Sequence, residues 1–118
     1  MAKYMLLIYG DPAQWDAMSP EQSKAHDASH VAFTAAAGPR VIGGEQLEST
    51  PAATALRMNP AGEILISDGP FVETKETVGG YYIVDASDLD EVIALPSQLP
   101  EVKAQHSGVE IRPLVEHG

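Results

Sequence analysis

SDGPFVETKETVGG, residues 67–80, is the stretch that decides the fold of this chain. Mostly apolar residues precede it at 63–66 and follow it at 81–84, so we predict a strand on each side. Gly69-Pro70 predicts a sharp turn directly after the first of these strands. Because functional side chains often lie on a polar loop held between buried strands, this stretch is also the first candidate for a site.

Four ionisable side chains stand in this stretch, namely Asp68, Glu73, Lys75 and Glu76. Asp68 precedes a Gly-Pro pair, which is typical of a residue that forms an Asx turn. The other three alternate in charge, which is typical of an exposed helical turn with weak ion pairing. The alternative is that Lys75 or Glu76 turns inward and takes part in catalysis. Phe71 is expected to anchor the loop by packing.

Hydrophobic periodicity and breaker residues divide the chain into six strands and two helices. The predicted elements are a strand at 3–9, a loop at 11–18, a helix at 20–37, strands at 41–47, 54–58, 63–66 and 81–84, a helix from 88 to 95 and a strand at 109–114. Ser19 can cap the first helix, and Gln22 can complete a capping box. Gly43-Gly44 predicts a bulge or a close backbone approach in its strand, and Pro100-Glu101 can restart a helix after the break at Pro96. This order predicts an α+β fold, a ferredoxin-like βαββαβ unit with an added β-hairpin, as one domain over residues 1–118.

Composition excludes several classes of function. The formal net charge is −10, so the basic surface that a nucleic-acid-binding protein needs is missing. The same charge disfavours anionic membrane surfaces, and no apolar run reaches the length of about 20 residues that spans a bilayer. The chain has no cysteine, which excludes disulfides, thiolate metal sites and a cysteine nucleophile. The start of the chain is too quickly polar for a secretory signal, so we expect a soluble, cytoplasmic protein.

Two histidines and one tryptophan are further candidates. His26 and His30 are four residues apart and share a face of the predicted helix. The residue after His26 is Asp27, whereas the helical zinc-protease signature has glutamate there, so we predict no metal site. We expect His26 to be a solvated side chain and His30, beside core-like residues, to be a candidate for proton transfer. Trp15 is expected either to plug a core or interface or to form the wall of a pocket.

At these residues the chain resembles the YCII-related family, in its DGPF-domain branch. The matching motifs are Asp68-Gly-Pro-Phe71, Glu73-Thr-Lys-Glu76, Gly79-Gly-Tyr-Tyr82, His30-Val-Ala-Phe33, Gly43-Gly44-Glu45-x-Leu47 and Glu110-x-Arg112-Pro113. The resemblance extends over about residues 3–114. It implies a ferredoxin-like chain that dimerises into an α+β barrel with a cleft in each subunit.

The resemblance also implies where a site would lie and which partners it would have. It implies a suspected active site built on a His-Asp pair. We expect no cofactor. Carried over residue by residue, it points to His30, Asp68, Glu73, Lys75, Glu76 and Arg112. Our catalytic candidates are His30, Asp68, Lys75 and Glu76, and our ligand-binding candidates are Glu73, Phe71, Trp15, Arg112 and Tyr82. Relatives in this branch are often encoded beside, or fused to, extracytoplasmic-function sigma factors.

Three hypotheses for function follow. The first is an enzyme that performs proton transfer, elimination or isomerisation on a small organic acid or ring with a His-carboxylate pair. The second is a ligand-binding or regulatory module without catalysis, associated with a sigma factor. The third is that the signature loop is structural and holds a homodimer together. All three expect a homodimer, because pairing of two sheets would protect exposed strand edges.

Overall fold

Six strands form two antiparallel sheets in this computed structural model, which describes residues 2–70 and 74–117. The strands are β1 (Ala2–Gly10), β2 (Val41–Gln46), β3 (Thr54–Met58), β4 (Ile64–Asp68), β5 (Thr77–Ala86) and β6 (Ser107–Pro113). The main sheet has the order β2-β5-β1-β6, and β3 pairs with β4 in a separate hairpin. The predicted α+β class is confirmed. β5 begins earlier than predicted because a register shift in its pairing with β1 accommodates the glycines before Tyr81.

Four helices accompany the sheets in the described residues. They are α1 (Pro12–Asp16), α2 (Pro20–Ala37), α3 (Leu89–Ala94) and α4 (Pro100–Lys103). The prediction of a loop at 11–18 was wrong for residues 12–16, which form α1. The Asp11 carboxylate accepts a hydrogen bond from the backbone N–H of Ala13 at 3.0 Å, and Pro12 occupies the first helical position. These two local features are enough to start a short helix.

The longest helix, α2, begins and ends as its sequence predicts. The Ser19 hydroxyl accepts from the backbone N–H of Gln22 at 3.1 Å, and the Gln22 side chain accepts from the backbone N–H of Ser19 at 2.9 Å. This capping box satisfies two backbone donors that the first turn leaves free. The helix ends at Gly38, whose φ of 59° favours glycine over other residues.

The core lies between the main sheet and helices α2, α3 and α4. Its buried residues are Tyr4, Leu6, Phe33, Ala37, Val84, Ala86, Val92 and Leu99. Side chains alternate along a strand, so the residues between Tyr4, Leu6 and Ile8 on β1 point to the other face. That second face of the main sheet, defined by Met5, Leu7, Tyr81 and Ile83, is half-buried. The chain therefore has one sheet face covered by helices and another that is only partly covered.

The β3–β4 hairpin stands apart from this core. Asn59 organises its turn, because the side-chain carbonyl accepts from the backbone N–H of Ala61 at 3.0 Å and of Glu63 at 2.9 Å. Large apolar side chains on the hairpin are exposed, namely Leu56, Met58, Ile64, Leu65 and Ile66. The hairpin therefore exposes an apolar surface that is separate from the core. An isolated two-stranded hairpin is only marginally stable in water.

The paired glycines of β2 form the predicted bulge, with a shift of register between Val41 and Gly43. A Cβ atom on Gly44 would lie 2.7 Å from the carbonyl oxygen of Tyr81 and 2.9 Å from Cδ1 of Tyr82. The glycine is therefore required for close approach of β2 to the Tyr82 ring. Of the helices in the described residues, none combines the length and the apolar character needed to cross a membrane.

Candidate functional site

Three side chains from three separate elements meet beside the main sheet. His30 comes from the middle of α2, Tyr82 from β5 and Glu101 from the first turn of α4. The Nδ1 atom of His30 lies 2.7 Å from the Tyr82 hydroxyl, and its Nε2 atom lies 2.9 Å from Oε2 of Glu101. Both ring nitrogens of His30 are thus engaged, which fixes the orientation of the imidazole.

His26 joins this group from one helical turn earlier on α2. Its Nε2 atom lies 3.0 Å from the same Oε2 atom of Glu101, and the two imidazole rings have their centroids 4.9 Å apart. The expectation that His26 is merely solvated was wrong. Residues four apart on a helix share a face, so both histidines lie over one carboxylate that a separate helix supplies.

Glu101 is the buried centre of the group, with its side chain only 3% exposed. Burial alone would raise the pKa of its carboxyl group, but hydrogen bonding and charge from His30, with a smaller contribution from His26, lower the pKa below its usual value. Its second oxygen, Oε1, is buried without a hydrogen-bond partner in the described residues. The carboxylate is therefore ionised and keeps one acceptor atom unused.

When His30 is neutral, the Tyr82 hydroxyl donates the hydrogen bond to Nδ1, because the ionised Glu101 can only accept from Nε2. Burial, and then the negative charge of Glu101, raise the pKa of Tyr82 above its usual value, so the phenol keeps its proton. When Tyr82 donates to Nδ1, the Nε2 atom of His30 carries the ring proton and donates it to Glu101. The Tyr82 ring packs against Phe33 with centroids 4.8 Å apart, which holds the hydroxyl in place.

This group lies in the wall of a cleft of about 570 Å³, a size typical of small-molecule sites. His26, His30, Tyr82 and Glu101 all line it, together with residues of α1, β2 and β5 and of the segment that follows β2. None of the described residues that line the cleft is a lysine or an arginine. The geometry therefore joins a hydrogen-bonded group of two histidines, a tyrosine and a buried carboxylate to a cavity whose described lining carries no lysine or arginine.

Trp15 forms part of the same wall. A Cβ atom on Gly10 would lie 2.1 Å from the indole, and one on Gly79 would lie 2.6 Å from it. The two glycines thus make the space in which the indole lies against β1 and β5. The indole adds a flat apolar surface to a cleft that is otherwise rich in polar side chains.

Comparison with known proteins places this fold and cleft in a family. The family model described as the YCII-related domain matches residues 2–117. The chain belongs to the YCII-related family. A relative from Rhizobium meliloti (strain 1021), an uncharacterised protein, is 34% identical over 113 residues, which cover 94% of this chain and 90% of the relative. These two matches establish the family, and neither of them names an activity.

In this YCII-related chain, the residues predicted for the site divide into two groups. His30, Tyr82 and Trp15 come together at the cleft. Asp68 lies exposed at the end of β4, Lys75 and Glu76 lie exposed before β5, and none of the three is among the residues that line the cleft. Arg112 is exposed on β6, where its Nη1 atom lies 3.8 Å from Oε2 of Glu110. Phe71 and Glu73 lie outside the described residues.

Within one chain, the carboxylate that contacts His30 belongs to Glu101 rather than to Asp68 or Glu76. Sequence reasoning missed Glu101 because Pro100-Glu101 predicted only the restart of a helix, and a glutamate is usually exposed there. A weak signal was present, since His26 and His30 share a helical face and require a hydrogen-bond acceptor if that face is packed. The sequence alone does not identify which of 17 acidic residues supplies it.

The same residues of this YCII-related chain are the ones that could hold a metal ion. His26, His30 and Glu101 each offer one ligand atom, and these atoms lie within 4.8 Å of one another. They are the one such group of three or more His, Cys, Asp or Glu side chains found in residues 2–70 and 74–117. The prediction of no metal site did not take Glu101 into account.

Proposed function

We propose that this YCII-related protein catalyses proton transfer on a small organic molecule bound in the cleft. The observation that carries the proposal is the continuous hydrogen-bonded chain from the Tyr82 hydroxyl through His30 to the buried carboxylate of Glu101. Such a chain combines a group that faces a ligand, a base behind it and a third group that orients the base. The proposal covers isomerisation and elimination, both of which move a proton.

The proton balance assigns a role to each side chain. The Tyr82 oxygen takes a proton from the substrate while the phenolic proton moves to Nδ1 of His30. The imidazolium that forms is stabilised by Glu101, which accepts a hydrogen bond from Nε2. The reverse transfer returns the proton to a different substrate atom in an isomerisation, or to the departing group in an elimination. In this proposal Tyr82 touches the substrate, and His30 and Glu101 act behind it.

Electrostatics favours an uncharged ring over a small organic acid as the substrate. No lysine or arginine lines the cleft in the described residues, whereas Glu101 is ionised inside its wall. A carboxylate ligand would lose its hydration and meet a negative charge there. An uncharged ring can instead lie against the indole of Trp15.

Hydrogen–deuterium exchange into candidate ligands tests the proposal without knowledge of the product. The protein would be incubated in D2O with cyclic ketones, lactones and phenols, and deuterium uptake into each compound would be followed by NMR. We expect uptake into at least one compound, and we expect Tyr82→Phe and His30→Gln to lower its rate by about 10²–10⁴-fold. His117→Gln, a change at an exposed histidine, is the matched control. Uptake at the same rate in all three variants would contradict the proposal.

We further propose that two copies of the chain pair through the second face of the main sheet, as in an α+β barrel. Met5, Leu7 and Ile83 give this face an apolar centre that the core does not use. With the hairpin set aside, the element order is βαββαβ, which supports a ferredoxin-like unit. Burial of this face would add apolar contact area to a small domain, which gains stability by association.

A regulatory role through a protein partner is the second candidate function. The exposed apolar side chains of the β3–β4 hairpin favour it, because contiguous exposed apolar residues mark interaction surfaces. A sigma factor encoded beside the gene is the partner to test first. Co-purification that is lost in Ile66→Asp and kept in Val115→Asp, a change at an exposed residue outside the hairpin, would support this role. Absence of any complex between the two purified proteins would contradict it.

A further inference from the structure

We infer that His26, His30 and Glu101 form a binding site for one divalent transition-metal ion of the zinc type. The inference concerns the same side chains as the proposed proton transfer, but it does not rest on that activity. Neutral imidazole nitrogen and carboxylate oxygen are the ligand types that Zn²⁺ and Co²⁺ take in proteins. Two histidines and one glutamate form the ligand set of one class of catalytic zinc site, in which a fourth position stays open.

The ligand atoms are already close to the positions that a metal requires. Nε2 of His26 and Nε2 of His30 lie 3.0 and 2.9 Å from the same carboxylate oxygen. In a tetrahedral site with metal–ligand distances of about 2.0–2.1 Å, neighbouring ligand atoms are about 3.3–3.4 Å apart. The two nitrogen–oxygen pairs therefore need to separate by only a few tenths of an ångström, and all three ligand atoms already lie within 4.8 Å of one another. Metal binding would replace the two Nε2 protons with one shared cation.

Glu101 supplies a second, independent indication of a ligand. Its side chain is 3% exposed, and its Oε1 atom is buried without a partner in the described residues. A buried carboxylate oxygen without a donor is costly, because it has lost water and gained nothing in return. A cation beside the carboxylate would stabilise both oxygens, either through bidentate coordination or through its charge alone.

The surroundings of the site match those of known metal centres. A metal-bound histidine usually donates its other ring N–H to a fixed acceptor. With a metal on Nε2, the Nδ1 atom of His30 would carry the proton and donate it to the Tyr82 oxygen, 2.7 Å away. Tyr82 would thus change from donor to acceptor without moving. His26 and His30 are separated by one turn of an 18-residue helix, so their spacing is rigid.

The cleft provides access and a favourable field for a cation. All three ligands line it, and no lysine or arginine does so in the described residues. Asp27 follows His26 and also lines the cleft, so a further carboxylate lies in the wall. This arrangement differs from the helical zinc-protease signature, in which the residue after the first histidine is a glutamate. Here the third ligand comes from α4, and the open position would face the cleft.

Titration with Co²⁺ tests the site directly, since tetrahedral Co²⁺ gives a strong visible absorption band. The full chain would be stripped with a chelator, dialysed and titrated with Co²⁺ and then Zn²⁺ at neutral pH, by absorption and by calorimetry. We expect one ion per chain, with Co²⁺ displaced by Zn²⁺. His26→Gln and Glu101→Gln should each weaken binding by more than about 100-fold, and Tyr82→Phe by about 10–100-fold.

Two controls keep the inference open to refutation. His117→Gln changes an exposed histidine that lines neither the cleft nor the cavity beside it, and it should leave affinity unchanged. If Glu101→Gln fails to fold, His26→Gln decides alone, because His26 is 22% exposed and tolerates a polar replacement. Absence of Co²⁺ binding, or binding that His26→Gln leaves unchanged, overturns the inference.

The outcome for the metal is separable from the outcome for proton transfer. With a metal on Nε2, the Nδ1 atom of His30 carries its proton and cannot accept the phenolic one, so the relay belongs to the metal-free protein. Deuterium exchange in chelator-treated protein supports the relay whatever the metal titration shows. A tetrahedral Co²⁺ spectrum that depends on His26 supports the metal site even if no compound exchanges. Failure of one proposal therefore does not decide the other.

Discussion

The Tyr82 hydroxyl lies 2.7 Å from Nδ1 of His30, although 52 positions separate the two residues in the chain. Removal of this hydroxyl in Tyr82→Phe should lower the free energy of unfolding by about 0.5–1.5 kcal/mol, the usual net contribution of one hydrogen bond. The ring would still pack against Phe33, so the loss should not exceed that range by much. Chemical denaturation of the variant and of the unsubstituted protein measures this change in the free energy of unfolding.

The matched control for this substitution is Tyr81→Phe, the same change at the next residue of β5. Its hydroxyl lies outside the contact between His30 and Glu101, so we expect a smaller loss of stability. A loss in Tyr81→Phe equal to that in Tyr82→Phe would show that the hydrogen bond to His30 contributes nothing specific.

A substitution at Gly10 should displace the indole of Trp15. A Cβ atom at this position would lie 2.1 Å from the ring, so Gly10→Ala forces the ring to move at a cost of about 1–3 kcal/mol. Trp15 is the one tryptophan of the chain, so its fluorescence reports the displacement directly. Gly108→Ala is the control, because a Cβ atom there meets nothing within 4 Å. An unchanged emission spectrum in Gly10→Ala would contradict the packing described for Trp15.

Association through the second face of the main sheet can be tested at Leu7. Leu7→Glu places a charge among Met5, Tyr81 and Ile83, and burial of an unpaired charge at an interface is strongly unfavourable. We expect the unsubstituted protein to have the mass of a dimer in light scattering and the variant to have the mass of a monomer. Val115→Glu, at a residue that is 76% exposed, should remain dimeric. A monomer in the unsubstituted protein would rule out this interface.

Acid should remove the contribution of Glu91 to stability. Its pKa is lowered by the hydrogen bond from Ser87 and by the hydrogen bond and charge of Arg40, whose Nε atom lies 2.6 Å from Oε1. A carboxyl group with a depressed folded-state pKa contributes stability above its unfolded pKa, and the contribution disappears as the pH falls through the folded value. The melting temperature of Glu91→Gln should therefore be below that of the unsubstituted protein at pH 7, and this difference should shrink as the pH falls through the lowered folded-state pKa of Glu91.

The comparison for this prediction is Glu116→Gln, a change at an exposed residue near the end of the chain. Its melting temperature should equal that of the unsubstituted protein at neutral pH and at acid pH. A difference for Glu91→Gln that stays constant between neutral and acid pH would mean that the contact with Arg40 acts through packing rather than charge.

The sequence predicts best those structural features that depend on residues close together in the chain. The capping box at Ser19, the helix end at Gly38 and the bulge at Gly43 depend on neighbouring residues, and all were predicted. The short helix after Asp11 was missed, although its cap is local, because five residues show little periodicity. The boundaries of the strands were predicted less accurately than their presence.

The site was predicted in part for the same reason. His30 could be identified because its helix and its core-like neighbours can be recognised locally. Its contact with Glu101 spans 71 positions and depends on how α4 packs against α2. No local pattern marks a glutamate that becomes buried, since most glutamates stay in water. Asp68 was favoured instead because it stands in the most recognisable motif of the chain.

The separation between the β3–β4 hairpin and the cleft has a consequence for how this family is classified. The DGPF segment begins at Asp68 on the hairpin, whereas His30, Tyr82 and Glu101 lie beside the main sheet. The signature segment and the proposed site thus lie in different parts of the chain. Relatives grouped by the shared segment can differ at position 101 without any change in that segment. Sorting relatives by the residue types at positions 26, 30, 82 and 101 would group them by the side chains of the candidate site, which the signature segment does not include.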